Sequence, residues 1–341
     1  MRILPLLPWI LILSLLTGSC GTRTDTELTK KEPAAESPAV PGLSMKKVIL
    51  LPYWITTAQF GGYYIGLHKG IFRKHGIDLE ILDFRPVMDP AQLIREKQAT
   101  FFLLWLVNAI ELRASGQPIV NIAQLSTRSS LLLVTRKSSG ILTIKDMEGK
   151  RAGIWLGYEL QPRALFRQEG VQVRITPIGS TNNLFLAGGV EIINANWFDE
   201  YHTILNSGYD PDELTTFFFS DYGLNFLEDG IYSLEETYAT DPGLCRRFVD
   251  ATLESWRYAF AHPEETIGVV VEEQKRQRIP ANLAHQRWTL DRYKDLYLPG
   301  QDTTLSTALK ESDYMNVARI LKEAGLIKSI PPFHDFFKPV P

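Results

Sequence analysis

Hydrophobic and polar positions change period twice within residues 48–82. Residues 48–51 form an unbroken apolar run, as a strand buried on both faces requires. Phe60, Tyr64, Leu67 and Ile71 then recur at helical spacing behind Thr56 and Thr57, which are candidate caps. Gly76 supplies a left-handed stop, and Ile77, Leu79 and Ile81 alternate with Asp78 and Glu80 as a second strand. The result is a βαβ unit whose first strand-to-helix loop holds Tyr53, Trp54, Gln59 and Phe60. Ligands of open parallel sheets bind beyond the carboxyl ends of strands, so a site is expected first in that loop.

The same alternation continues. Asp89-Pro90, a cap followed by an N1 proline, starts a helix that runs to about residue 97. Residues 100–104 read as a buried strand ending in Trp105, followed by a short helix that stops at Gly116. Residues 119–125 and 131–135 are further strands and complete a first α/β lobe. After a polar link at 137–140, strand 151–154 ends at Trp155, helix 160–168 follows, and 172–176 is another strand. A short helix at 182–187, strand 190–195 into Asn196-Trp197, helix 198–205 and strand 215–219 finish a second series.

Asp241-Pro242 then starts a helix with Leu244, Phe248, Thr252, Trp256 and Phe260 on one face, and Pro263-Glu264-Glu265 opens the next. The expected class is α/β, with two lobes, each a mostly parallel sheet flanked by helices, hinged by two crossings. Residues 45–137 plus 223–341 are assigned to lobe 1 and 138–222 to lobe 2.

Composition adds an address. Arg2 precedes an apolar run at 3–16 and then Thr17-Gly18-Ser19-Cys20, a secretory pattern similar to a bacterial lipobox. Residues 1–20 are expected to be a leader with Cys20 as the lipidation site, and 21–44, rich in Thr, Glu, Lys, Pro, Ala and Ser, a flexible tether. This implies a body held at a membrane of the bacterial cell envelope, facing the periplasm or the exterior. The second of the two cysteines, Cys245, has no partner once Cys20 carries lipid, so it is expected as a packed apolar residue. A net charge of −3 argues against nucleic acid as a partner. No metal-ligand spacing, nucleophile elbow or phosphate loop occurs, so no catalytic residue, metal or cofactor is expected.

Candidate chemistry lies at the strand ends. Of seven tryptophans, Trp54, Trp105, Trp155 and Trp197 each directly follow or end a predicted strand, and their rings are expected to converge on the cleft. Tyr63 and Tyr222 are candidates to join them. Such a cage suits a flat, ring-bearing ligand. Gln59, Asn108, Glu159, Asn196, Asp199 and Glu200 lie near the same ends, with Ser126 and Arg128 in the 126–130 loop. Carboxylates outnumber cations there, which suits an amine or ring N–H better than a sulfonate or phosphate. For Arg128 a loop ion pair is the simpler reading.

Several segments resemble, in order, those of the NMT1/THI5-like periplasmic substrate-binding proteins, a branch of the type II solute-binding fold. They are Phe60-Gly61-Gly62-Tyr63-Tyr64, Lys69-Gly70-Ile71-Phe72 and Gly76-Ile77-Asp78-Leu79, then Gly116-Gln117-Pro118, Asp210-Pro211, Asp221-Tyr222-Gly223 and His262-Pro263-Glu264-Glu265. The resemblance covers about residues 46–270. Asn196-Trp197-Phe198-Asp199-Glu200 is similar to a family segment that would make Glu200 a ligand contact. The chain departs from the family pattern at Thr100-Phe101-Phe102-Leu103-Leu104-Trp105, where an aspartate and small residues are usual.

The resemblance implies a lipid-anchored, monomeric binding component of an ABC importer, working with a permease and an ATPase. Its implied ligand is a thiamine pyrimidine precursor such as a formylated aminopyrimidine, with riboflavin or a sulfonate as alternatives. The family also holds thiamine pyrimidine synthases that carry pyridoxal phosphate on a lysine. That lysine and its neighbouring histidine fall on Leu104 and Asn108 here, and the synthases' cysteine cluster has no counterpart.

Overall fold

The computed structural model of the protein describes residues 44–300 and 303–340; the expected leader, Cys20 and the tether up to residue 43 lie outside them. In chain order the first elements are β1 (Lys46–Leu51), α1 (Gly61–His68), α2 (Ile71–Lys74), β2 (Ile77–Ile81), α3 (Pro90–Arg95), β3 (Phe101–Leu104) and α4 (Leu106–Ala114). Then come β4 (Ile119–Gln124), β5 (Leu131–Arg136), β6 (Arg151–Trp155), α5 (Leu160–Glu169), β7 (Arg174–Ile178), α6 (Asn183–Leu186), β8 (Ile192–Asn196) and α7 (Glu200–Asn206). The chain ends with β9 (Leu214–Phe218), β10 (Gly230–Leu234), α8 (Glu235–Thr240), α9 (Pro242–Ala261), α10 (Pro263–Arg276), α11 (Leu283–Tyr297), α12 (Glu311–Glu323) and α13 (Phe333–Phe336).

Two five-stranded sheets result, in the orders β2-β1-β3-β10-β4 and β7-β6-β8-β5-β9. In the first, β1 runs parallel to β2 and β3, while β10 is antiparallel to both β3 and β4. In the second, β6 runs parallel to β7 and β8, while β5 is antiparallel to β8 and β9. Each sheet therefore has four strands pointing one way and a single reversed strand next to its centre. This is the two-lobed α/β arrangement that the sequence pattern implies, with mixed sheets.

Two details differ from the sequence reading. The 131–135 strand, counted above with the first lobe, pairs with β8 and β9 of the second sheet. The first sheet is completed instead by β10, for which the sequence pattern holds no sign. Its Gly230-Ile231-Tyr232-Ser233-Leu234 is short, follows two acids, and pairs with strands more than a hundred residues earlier.

Packing explains why the helices sit where they do. β3, β4, β5, β8 and β10 are buried along their length apart from Arg136, as strands covered on both faces must be. On α1, Gly62 and Gly66 face α9: a Cβ on Gly62 would overlap the Trp256 ring, 2.6 Å from its Cε2, and one on Gly66 would stand 2.6 Å from Ser255 Cβ. Only glycine permits so close an approach. The Asp241 carboxylate caps α9 by accepting from the Leu244 N–H at 2.9 Å, and Leu244, Phe248, Thr252 and Trp256 line its buried face. Cys245 is fully buried on the same helix, and burial pushes its thiol up to about 11, the behaviour of a small apolar residue. No helix among the described residues is long and apolar enough to cross a membrane.

Two segments join the sheets, 125–130 between β4 and β5 and 219–229 between β9 and β10. Glu228 ties them together. Its side chain, fully buried, accepts from the Ser129 hydroxyl at 3.0 Å and from the Ser130 N–H at 3.1 Å. Its carbonyl accepts from Gln124 and Ser126. The Asn225 amide closes the link by accepting from the Ser129 N–H at 2.8 Å.

Candidate functional site

Loops leaving the carboxyl ends of β1, β3, β6, β7 and β8 meet at a cavity of about 240 Å³. Tyr53, Trp54 and Gln59 follow β1, and Trp105 follows β3. From the other sheet, Trp155 ends β6 with Leu156 and Tyr158 beyond it, Gly179 and Ser180 follow β7, and Asn196 ends β8 ahead of Phe198, Asp199 and Glu200. Both sheets thus contribute walls through the same kind of position.

The rings are ordered by edge-to-face packing. Tyr53 meets Phe60 at 5.5 Å and Trp105 at 6.2 Å; Trp105 meets Tyr158 at 5.2 Å, and Tyr158 meets Trp155 at 5.9 Å. Tyr158 therefore joins tryptophans of different sheets, and each such pair adds about 0.5–1.5 kcal/mol beyond burial. Gly157 makes this turn: its φ of 87° is left-handed, and its N–H donates to the Glu159 carboxylate at 3.1 Å.

Polar groups are concentrated on two sides. The Glu200 carboxylate accepts from the Asn196 N–H at 3.0 Å. Burial, with Asp199 alongside, pushes the Glu200 carboxyl up to about 8, so it keeps its proton at neutral pH. Asp199 lies 3.1 Å from His285 Nε2 on α11, and His285 Nδ1 lies 2.9 Å from His202 Nδ1 on α7. Across the cavity, the Tyr53 hydroxyl donates to the buried Asp229 carboxylate at 2.7 Å. Asn196 accepts from the Ser130 hydroxyl at 3.0 Å, and that hydroxyl also reaches Glu228 at 3.2 Å. The cavity wall is therefore hydrogen-bonded to the inter-sheet link.

The structure sorts the residues singled out from sequence. Trp54, Gln59, Trp105, Trp155, Asn196 and Glu200 line this cavity, and Asn108 lines a neighbouring one of about 520 Å³. Phe60 and Tyr63 do not. Both are core residues, and Tyr63 packs on Trp256 at 6.1 Å because α1 is enclosed on nearly all sides. Trp197 departs most from the four-indole cage. The strand ends at Asn196, and in the turn that follows Phe198 takes the cavity side while Trp197 does not. Its ring meets Phe218 at 5.6 Å and the Arg292 guanidinium at 4.7 Å.

Arg128 donates to Ser220 at 2.8 Å, pairs with Asp221 at 3.2 Å and covers Phe218, so it is a loop ion pair away from the cavity. Tyr222 stands in that same turn, its carbonyl accepting from Gln168 at 3.0 Å. Glu159 is occupied by the turn at Gly157. Sequence reasoning misses Tyr158, Leu156, Phe198 and the segment after β7. The strand-end rule applied to every strand, rather than to tryptophans alone, reaches Leu156, Phe198 and the segment after β7. Among the described residues no group of three or more His, Cys, Asp and Glu is arranged to hold a metal ion.

Known proteins share this organisation. The family described as NMT1/THI5 like matches residues 57–266. The chain is 21% identical over 251 residues to a formylaminopyrimidine-binding protein of Halalkalibacterium halodurans, covering 70% of this chain and 73% of that protein. It is 23% identical over 274 residues to the riboflavin-binding protein RibY of Chloroflexus aurantiacus, covering 77% and 76%. The periplasmic aliphatic sulphonate binding protein SsuA from Escherichia coli superposes with a TM-score of 0.69 at 14% identity, covering 87% of this chain and 93% of that one. That last likeness shows the fold.

Proposed function

The chain belongs to the NMT1/THI5-like family, and from that premise we propose that it is the solute-binding component of an ABC importer, clamping a flat heterocycle between its lobes. The carrying observation is the cavity at which rings from both sheets meet: Tyr53, Trp54 and Trp105 from one, Trp155 and Tyr158 from the other. A ligand touching both walls stabilises the closed arrangement over the open one, which is what a delivery protein needs.

The polar side favours an aminopyrimidine. A carboxyl group that retains its proton donates its O–H to a ring nitrogen and accepts from an exocyclic amine, a two-point match that Glu200 offers at neutral pH. Asp199 adds an acceptor beside it, and among the described residues no cation lines the cavity to hold a sulfonate. The relative named as a formylaminopyrimidine-binding protein supports the same class. In this reading Cys20 carries the lipid that holds a monomeric body outside the cytoplasm, and a permease and ATPase take up the released solute. A synthase reading is the poorer one: Leu104, where the resemblance aligns the synthases' lysine, is a buried strand residue that cannot form a Schiff base.

Calorimetric titration of the purified protein with a formylated aminopyrimidine tests this. Saturable binding with a Kd of about 1 μM or tighter, weakened about tenfold or more in Trp155→Ala, is expected. Failure to bind any pyrimidine or flavin ring removes the reading, and turnover with pyridoxal phosphate, histidine and iron replaces it with the synthase.

A further inference from the structure

Beside the aromatic cavity lies the larger one, of about 520 Å³, and the two share Tyr53, Trp105 and Tyr158 as a common wall. A volume of about 240 Å³ falls below the roughly 300–1,000 Å³ of pockets for drug-sized ligands, so the first cavity has room for little more than a ring. The second has space for the rest of a molecule.

Its polar lining is selective. Trp105 occupies the N-terminal cap of α4, and the same helix carries Asn108 and Glu111, one turn apart, to the second cavity. Other polar groups there are already engaged: Asp89 accepts from the Ala91 N–H at 2.9 Å and pairs with Arg95 at 3.5 Å, while the Ser115 hydroxyl donates to the Leu112 carbonyl at 2.7 Å. Glu111 has no ion-pair partner among the described residues, and burial alone raises its carboxyl from the ordinary value. Among the described residues no lysine or arginine lines the cavity. An acceptor without a cation nearby selects donors: hydroxyls or an amine, and not phosphate or sulfonate.

Resting on the binding reading above, we propose that the second cavity is a subsite for a hydrogen-bond-donating arm carried by the ring held in the first, with Asn108 and Glu111 as its specificity-determining residues. The ligand class narrows accordingly to a planar heterocycle bearing a hydroxylated or amine-containing substituent.

Two matched probe pairs test this on the purified protein by calorimetry: 4-amino-2,5-dimethylpyrimidine against 4-amino-5-hydroxymethyl-2-methylpyrimidine, and lumiflavin against riboflavin. Each pair compares a ring without an arm to one with a donor-bearing arm. Within whichever pair binds, the armed member is expected to bind about tenfold tighter. Glu111→Gln and Asn108→Ala are expected to erase that difference and leave the bare ring unchanged. Equal affinities within a pair in the parent protein, or variants that weaken both members alike, overturn the subsite while the ring reading stands. If no probe of either pair binds, the ring reading falls and the subsite with it. Unchanged far-ultraviolet circular dichroism keeps a folding defect in either variant from imitating the expected result.

Discussion

His285 Nε2 lies 3.1 Å from the Asp199 carboxylate, so a helix near the end of the chain holds a residue of the cavity wall. The grip extends to the two residues before it. Thr289 donates to the Phe198 carbonyl at 2.9 Å, and Trp288 Nε1 to the Trp197 carbonyl at 2.9 Å. The loop after β8 is thus fixed from outside its own sheet. His285→Ala is expected to weaken ligand binding about fivefold, the loss of roughly 1 kcal/mol of positioning. Titration at neutral pH reads the change, and an unaltered Kd means that the His285–Asp199 contact does not position the site.

Glu228 predicts how stability responds to pH. Burial, with Asp229 beside it, pushes its carboxyl from the ordinary 4.5 up to about 8; burial raises Asp229 from 3.8 to about 7. The folded chain therefore holds protons that the unfolded chain releases. Their contribution is complete below the unfolded values and is lost progressively as pH climbs from there through the folded values of about 7 and 8, by up to about 1.4 kcal/mol per unit for each group. The Tm of the ligand-free protein is expected to fall between about pH 5 and 8 and to level off above that. Glu228→Gln, which stays neutral, is expected to flatten that fall; parallel curves for the two proteins contradict the assignment.

Ligand affinity has its own pH dependence through Glu200, whose carboxyl is raised to about 8 by burial and by Asp199. If its O–H donates to a ring nitrogen, the Kd for an aminopyrimidine is level from pH 6 to 7.5. Above about pH 8 it weakens, by up to roughly tenfold per unit. Affinity that rises with pH over this range shows instead that the carboxylate form is the one that binds.

Two tryptophans separate binding from stability. Trp54→Ala, on the cavity wall and only partly buried, is expected to weaken a ring ligand by about tenfold or more with a small change in Tm. Trp197→Ala removes the ring that Arg292 covers, and is expected to lower stability by about 1–2 kcal/mol while Kd changes little. Titration and thermal melts on both variants decide the matter; the reverse pattern restores Trp197 to the cage.

Gly66 limits how near α1 stands to α9. A methyl group there would lie 2.6 Å from Ser255 Cβ. Gly66→Ala is expected to cost about 1–3 kcal/mol by overpacking, and Ser255→Gly in the same chain to restore part of it. Urea unfolding measures both, and a neutral Gly66→Ala rules out the close approach.

Much of this architecture is legible in the residues because strand and helix periods are local. Trp105 and Trp155 are identifiable because each stands at the end of an apolar run, where a parallel strand must open onto its site. Tyr158 is not, since it reaches the cavity only through the left-handed turn at Gly157. Trp197 misleads because nearness to a strand end does not say which side of the chain a ring takes. β10 is hidden for a different reason: five residues have too few apolar positions to define a period, and what makes them a central strand is the pair of distant strands they join. Glu228 is likewise invisible until the serines at 129 and 130 are brought against it.

The position of β10 between β3 and β4 also dictates an order of assembly during synthesis. Every strand of the second sheet, from Leu131 to Phe218, has left the ribosome before Gly230 appears, so that sheet can close on its own. The earlier half must wait with β4 unmoored from β3. The portion made first is the portion finished last, and a polypeptide cut short before residue 230 would keep one intact sheet and one lacking its middle.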